Sequence, residues 1–403
     1  MSTSWGYTEW PSVGSVSPFL LATQKVTSIQ ILCLERKYYT RCCVSIIGSL
    51  HLTVLKKSEI SNVEDVMTPN ARFTEFIKDI TPSVTTVANC KSAHTTVRNA
   101  LLSDEEFKGR VKRVFLGGSY KRSTAIRPKK KGESTERPDV DLYVVVDGNP
   151  WFVEPAELMD ELYAALNRAR SVLGITNITR NRCSIALSMN KADLDVSILL
   201  DRQVDNLYRI GNRNTGDWYK TDPEEHTDWS AAQNTRCSGR FNPLTRMVKW
   251  ARRQNKTVSR HPKSFALEAL IAPHISELQT HYGQLFHDWC DAFVDAYNIH
   301  RILGTCPSIT DPAVPDGDIL QGVTGDEFCA YYDKIKKHRD DAAKALAEDN
   351  QDKATDYWRR IFGERFPKAI QAGQSTKSAA TAMSPLSFPA VEAAPTPRPA
   401  KFA

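Results

Sequence analysis

The sequence predicts an α+β fold, a mixed sheet with few crossovers followed by a C-terminal helical domain. Three observations predict it. Short apolar runs with period-two alternation gather between Lys112 and Leu200. One helical stretch only interrupts them, so the order is not a repeating βα winding. From about Pro243 to Phe362 the apolar positions recur at helical spacing instead, as in PLTRMVKWARRQ and DEFCAYYDKIKKHRDDAAKALAE.

In chain order, residues 1–66 hold two of the eight Trp, Ser- and Thr-rich patches and a β-like run without matching elements. They read as an N-terminal extension of doubtful structure. In MTPNARFTEFIKDITPS, Phe73, Phe76, Ile77 and Ile80 fall on one helical face, and Pro69 sits where a first turn tolerates it. A second helix is expected from Val84 to Leu102. Strands follow at Val114–Leu116, Leu142–Val146, Ser184–Ser188 and Asp193–Leu200, with a helix over Pro155–Leu173. The tail from Gln371, rich in Ala, Ser, Thr and Pro, is expected to be disordered. The division is therefore an extension (1–66), a sheet-bearing core with N-terminal helices (67–205), a helical domain (206–370) and a tail (371–403).

Composition narrows the function classes. With 403 residues, 41% hydrophobic and 25% charged, the chain is an ordinary globular protein with room for a sizeable core. Its formal charge of +6 is too small to mark a nucleic-acid binder, but suits an anionic substrate. Nine scattered cysteines without a CxxC pair point to reduced thiols rather than a disulfide framework or zinc site. No stretch reaches the roughly 18 apolar residues of a membrane span, and the N-terminus lacks a signal-peptide pattern. A cytoplasmic protein without a membrane partner is expected.

The chemistry lies in LGGSYKRSTAIRPKKKGESTERPDVDLYVVV, residues 116–146. Side chains alternate along a strand, so Asp139, Asp141 and Tyr143 share one face. Two neighbouring, partly buried carboxylates repel unless a cation lies between them, and Mg²⁺ (or Mn²⁺) suits such hard oxygen donors. In KADLDVSILL, Asp193 and Asp195 repeat the arrangement, and Asp195 is the better third acid because an apolar strand continues directly from it. Upstream, Gly117 and Gly118 let backbone approach a triphosphate, and the Ser119 hydroxyl can grip its oxygens. A Gly-Gly-Ser turn alone is commonplace. Followed by two acid-bearing strands, it points to metal-dependent nucleotidyl transfer.

LGGSYKRSTAIRP, RPDVDLYVVV and ADLDVSILL resemble the active-site segments of polymerase-β-type nucleotidyltransferases, and most closely the bacterial cGAS/DncV-like nucleotidyltransferases (CD-NTases), with STAIRP and RPDVD most like clade D. EEHTDW, LTRMVKWARRQN, HPKSFALEALI and the closing KFA resemble that clade too, so the likeness spans residues 67–403. KKKGEST departs from it by lengthening the gap between Ser119 and Asp139. The resemblance implies Asp139, Asp141 and Asp195 as catalytic metal ligands, and Ser119, Lys249 and Ser264 as nucleotide contacts; Gly118, in the turn, and Arg122, which flanks the site, are further candidate nucleotide contacts on their own reading. Read on their own, Lys249 beside Trp250 is a solvated lysine, Arg122 and Arg127 are exposed charges, and Ser264 is a helix cap. The Lys129–Lys131 run reads as solvated, His226 as structural, and Trp229 as a candidate base-stacking ring.

The implied activity is template-independent synthesis of a cyclic di- or trinucleotide from NTPs, ATP first and GTP second, in CBASS antiphage signalling. Its implied partners are ubiquitin-ligase-like or HORMA/TRIP13-like accessory proteins and a messenger-activated effector, with no nucleic-acid requirement. Two alternatives share parts of the site: a tailing or small-molecule nucleotidyltransferase, and an inactive nucleotide sensor. Retained clustered acids argue against the sensor, since unused they would cost stability.

Overall fold

The computed structural model describes residues 44–45, 53–54, 68–131, 134–258 and 260–369. Two compact units divide the chain at Ile60. In the first, β1 (Val44–Ser45) pairs antiparallel with β2 (Thr53–Val54); the remaining calls on residues 1–66, and those on the tail from Gln371, lie outside the described residues.

The second unit opens with helices α1 (Asn70–Ile80) and α2 (Val84–Ser103), the latter capped by the Ser83 hydroxyl accepting from Thr86 N. Then come β3 (Val111–Leu116), the short α3 (Gly118–Lys121) and a small hairpin, β4 (Lys130–Lys131) with β5 (Ser134–Thr135). Within the lengthened KKKGEST segment, Lys130–Lys131 and Ser134–Thr135 thus pair with each other. β6 (Asp139–Val146) leads into α4 (Pro155–Arg168) and α5 (Arg170–Leu173). Next are β7 (Ile175–Arg180), β8 (Ile185–Met189), β9 (Asp193–Leu200), β10 (Tyr208–Gly211) and β11 (Trp218–Thr221). Helices α6 (Pro223–Arg236), α7 (Phe241–Gln254), α8 (Ser264–Ile271), α9 (Tyr282–Leu303), α10 (Gly325–Ala347) and α11 (Gln351–Phe362) close it.

The expected α+β architecture is observed, with seven strands in the main sheet. β6 and β9 run parallel at its centre, and the other neighbours are antiparallel. β9 meets β6 along its whole length on one edge; the other edge is shared by β8 near its start and β10 near its end. Val140, Leu142 and Val144 of β6 and Leu194, Val196 and Ile198 of β9 face α2 and α4 and form one core with Val97, Leu101, Leu158 and Leu162. Burying six such side chains at about 1.5–3 kcal/mol each fixes the register, because a one-residue slip would turn them to water and the acids inward.

Two boundaries differ from expectation. The sheet runs on through β10 and β11 to Thr221, past the expected division at 205. Helix α1 packs not on the sheet but into the C-terminal helical core, where Phe73 and Phe76 meet Trp358, Phe362 and Phe366. β7, β10 and β11 were absent from the expected strands because their polar residues mask alternation. Among the described residues no helix is long and apolar enough to cross a membrane.

Candidate active site

The parallel register of the central strands brings the acids together. Asp139 stands beside Asp193 and Asp141 beside Asp195, on the sheet face opposite α2 and α4. Asp139 lies exposed at the strand mouth, yet protein surrounds its carboxyl. Burial, then Asp141, Asp195 and Asp193, push it up to about 7. Asp141 is likewise raised, by burial and by Asp195, while Arg122 and Lys249 pull the other way. Asp195 Oδ1 accepts from Ser184 Oγ at 3.3 Å and Asn181 Nδ2 at 3.4 Å. Asp193 faces Arg137, Nε to Oδ1 2.7 Å.

The Gly-Gly-Ser turn is laid directly on this strand. Gly117 N donates to Asp141 O at 3.0 Å. A Cβ on Gly117 would lie 2.3 Å from the Tyr143 ring, and one on Gly118 only 1.6 Å from Asp141 Oδ2. Gly118 also has φ +67°, so two independent constraints demand glycine there. Ser119 follows on α3, and its carbonyl accepts from Thr124 N and Ala125 N, which closes the turn.

The cations contradict their sequence reading. Lys249 is buried, 3% exposed, and donates to Glu268 Oε1 at 2.7 Å and Thr124 Oγ1 at 3.0 Å. It is not a solvated helix lysine; burial lowers it to about 8, so it stays charged at neutral pH. Arg122 is no exposed charge either: its Nε donates to Glu268 Oε2 at 3.1 Å and its guanidinium lies 4.7 Å from the Phe265 ring centroid. Arg127 pairs with Asp79 at 2.9 Å. Glu268, which sequence reasoning missed, also accepts from Thr124 Oγ1 at 2.7 Å and Ser230 Oγ at 3.1 Å. Burial pushes its carboxyl up, but Lys249 and Arg122 outweigh it and hold it below its ordinary value. The network ties the loop after α3 to α6, α7 and α8.

Ser264 stands in the first turn of α8, whose N-cap is Lys263, so Ser264 is not the cap. Its hydroxyl accepts from Arg252 Nη2 at 3.3 Å. His226 bonds Asp311 at 2.8 Å. Trp229 packs edge-on against Phe241 and Phe265 rather than standing free.

Among the described residues no three His, Cys, Asp or Glu side chains form a closed metal cage. The donor set still fits a hard divalent cation: Asp139, Asp141 and Asp195 crowd one face with mutual repulsion and no bonded cation.

This is a mixed sheet that presents acids from two parallel strands beneath a glycine turn, the layout of a nucleotidyltransferase. The model of the Second Messenger Oligonucleotide or Dinucleotide Synthetase domain matches residues 67–234. A cyclic AMP-AMP-AMP synthase of Acinetobacter sp. is 36% identical over 76% of this chain and 88% of its own. A cyclic AMP-AMP-GMP synthase of Enterobacter hormaechei is 27% identical over 73% of this chain and 91% of its own. The solved CD-NTase CdnG of Bradyrhizobium diazoefficiens, in complex with GTP, shares the fold at TM-score 0.61 and 14% identity, over 73% of this chain and 96% of that one. The chain belongs to the bacterial cGAS/DncV-like nucleotidyltransferases, enzymes that join nucleotides into cyclic oligonucleotides.

Proposed function

We propose that this chain makes an adenine-containing cyclic trinucleotide from NTPs, using Asp139, Asp141 and Asp195 as its catalytic acids, and that its resemblance to clade D extends to this product. The observation that carries the site assignment is the register of β6 on β9, which sets Asp141 beside Asp195 directly under Gly118. The curated relatives, named as synthases of all-adenine and adenine-guanine trinucleotides, support the product class.

Asp139, Asp141 and Asp195 would hold Mg²⁺ or Mn²⁺, which when bound neutralises phosphate charge and acidifies the attacking hydroxyl. The chain's own residues do the rest. Gly118 lets the turn approach the triphosphate, and the Ser119 hydroxyl orients its oxygens. Asp195 takes the proton of a ribose hydroxyl as its oxygen bonds the α-phosphorus; the α–β P–O bond breaks and pyrophosphate leaves. Arg122 and Lys249, both charged and both felt by Asp141, add positive potential beside the triphosphate while Glu268 fixes their places. Ser264 supplies a further phosphate contact from α8. The cytoplasm, a role in CBASS defence, an accessory protein and an effector complete the proposal on the strength of the family resemblance.

The test is incubation of purified protein with labelled NTPs and Mg²⁺ or Mn²⁺, phosphatase treatment, and mass spectrometry. A phosphatase-resistant cyclic trinucleotide containing adenine is expected. Linear tails or nucleotidylated small molecules as the sole products would reject it.

A further inference from the structure

A cavity of about 430 Å³ opens at the N-terminal ends of β6 and β9, where the first turns of α2 meet the starts of the strands. Its size falls within the usual range of small-molecule sites, roughly 300–1,000 Å³. Four cations line it, Arg127, Arg137, Lys191 and Arg365, together with the amides of Asn89 and Asn190. They come from separate parts of the chain. Arg127 and Arg137 flank the β4–β5 hairpin, Asn190 and Lys191 form the β8–β9 turn, Asn89 lies on α2, and Arg365 follows α11.

The carboxylates around them do not use up this charge. Arg127 and Arg365 share one acid, Asp79, at 2.9 and 2.7 Å. Arg137 pairs with Asp193 at 2.7 Å, on the acid-bearing face. Lys191 is exposed on its turn. Among the described residues Glu136 is the one acid in the lining. With Glu136, Asp79 and Asp193 set against four cations, one positive charge is in excess. The N-cap of α2, Ser83, also lines the cavity, so the positive end of a 20-residue helix adds to it.

We infer that this pocket, which none of Asp139, Asp141 and Asp195 lines, binds a small polyphosphate anion of the nucleotide class. Concave walls, guanidinium forks for phosphate oxygens and amides for a base edge fit a nucleotide better than a long nucleic acid, which needs an extended basic track. Because Arg365 and Asp79 belong to the helical lobe and Lys191 and Arg137 to the sheet, the occupant would bridge the two lobes and act as an effector.

The experiment is calorimetric titration of the full-length protein with inorganic tripolyphosphate, without divalent cations. Wild type and Ser119→Ala should bind alike. Lys191→Ala, on an exposed turn and so safe for folding, should weaken binding about tenfold, the worth of one charge-assisted contact. Adding Arg365→Gln should weaken it further. Equal binding by Lys191→Ala and wild type, loss of binding in Ser119→Ala, or no binding by wild type would each overturn the inference. Competition in the Ser119→Ala background identifies the source: ATP displacing the probe marks a free-nucleotide effector, and the enzyme's own cyclic product marks feedback. Displacement by short duplex DNA alone would overturn it in favour of a nucleic-acid surface.

Discussion

Asp141 and Glu268 are carboxylates withdrawn from water within one electrostatic neighbourhood, and they are treated in opposite ways. Glu268 receives hydrogen bonds from Lys249, Arg122, Thr124 and Ser230 and is held ionised. Asp141 has Asp139 and Asp195 for company, and its carboxyl is pushed up. The two cations that could have neutralised it are bonded to Glu268 instead. A satisfied buried carboxylate holds parts of a molecule in place. A crowded one stores repulsion that a bound cation relieves, which is why Glu268 reads as framework and the aspartates read as the site.

The largest effect should come from removing the repulsion itself. Asp139→Asn with Asp141→Asn should bring cyclic product below detection while the metal-free protein melts no lower than wild type, and even higher. Product at a rate near wild type would break the contrast, because the crowding would then serve no chemistry.

Next in size is the turn above Asp141. Gly118→Ala forces a Cβ to within 1.6 Å of Asp141 Oδ2 and places alanine at φ +67°. The backbone strain costs about 1–2 kcal/mol. Displacement of the carboxylate should cut turnover about a hundredfold, as misplacements near 1 Å do. Steady-state rates and thermal melts on the same preparation would show both; unchanged turnover would mean that Asp141 need not stay where this turn pins it.

Glu268→Gln tests the other half. Lys249 and Arg122 would be left buried and under-compensated, at a cost of about 3–5 kcal/mol. Adding Lys249→Met should recover part of that loss, a non-additivity measurable by denaturant unfolding of the two singles and the double. Strict additivity would show that the network is not a unit.

The two regions also differ in how far they were legible. Asp139, Asp141 and Asp195 were visible because strands alternate, and two polar residues inside apolar runs break that alternation on one face only. Glu268 was not. It sits in ALEAL, nineteen residues after Lys249, and a lone acid among helical apolar residues reads as a solvated edge until the helix packing is known. The burial of Lys249 was hidden for the same reason, since its partner comes from another helix. Likewise the amphipathic face of α1 was clear, but not that its partners lie some 280 residues later. Periodicity reports which face is covered, never by what.

The smallest prediction sets the acid cluster against His338, a second strained group in the helical core. His338, on α10, is 3% exposed, and neither ring nitrogen has a protein partner among the described residues. Burial, then Lys334 and Lys337, lower it to about 3 from 6.5. Between those values the unfolded chain binds the proton and the folded chain does not, so stability falls as pH drops from about 6.5, by up to about 1.4 kcal/mol per pH unit for one full proton. Asp139 acts with the reverse sign: raised from 3.8 to about 7, it takes up its proton first in the folded, metal-free protein, which therefore gains stability as pH falls through that window. The two contributions oppose each other between pH 6.5 and 3.8. Urea midpoints at pH 7.5 and 5 should therefore differ little in metal-free wild type. Asp139→Asn with Asp141→Asn should expose the acid loss due to His338, and His338→Leu should shift the wild-type profile toward greater stability at pH 5. If His338→Leu left the ratio of the two midpoints unchanged, the imidazole would be protonating in place, and the helical core would be wetter at α10 than its packing shows.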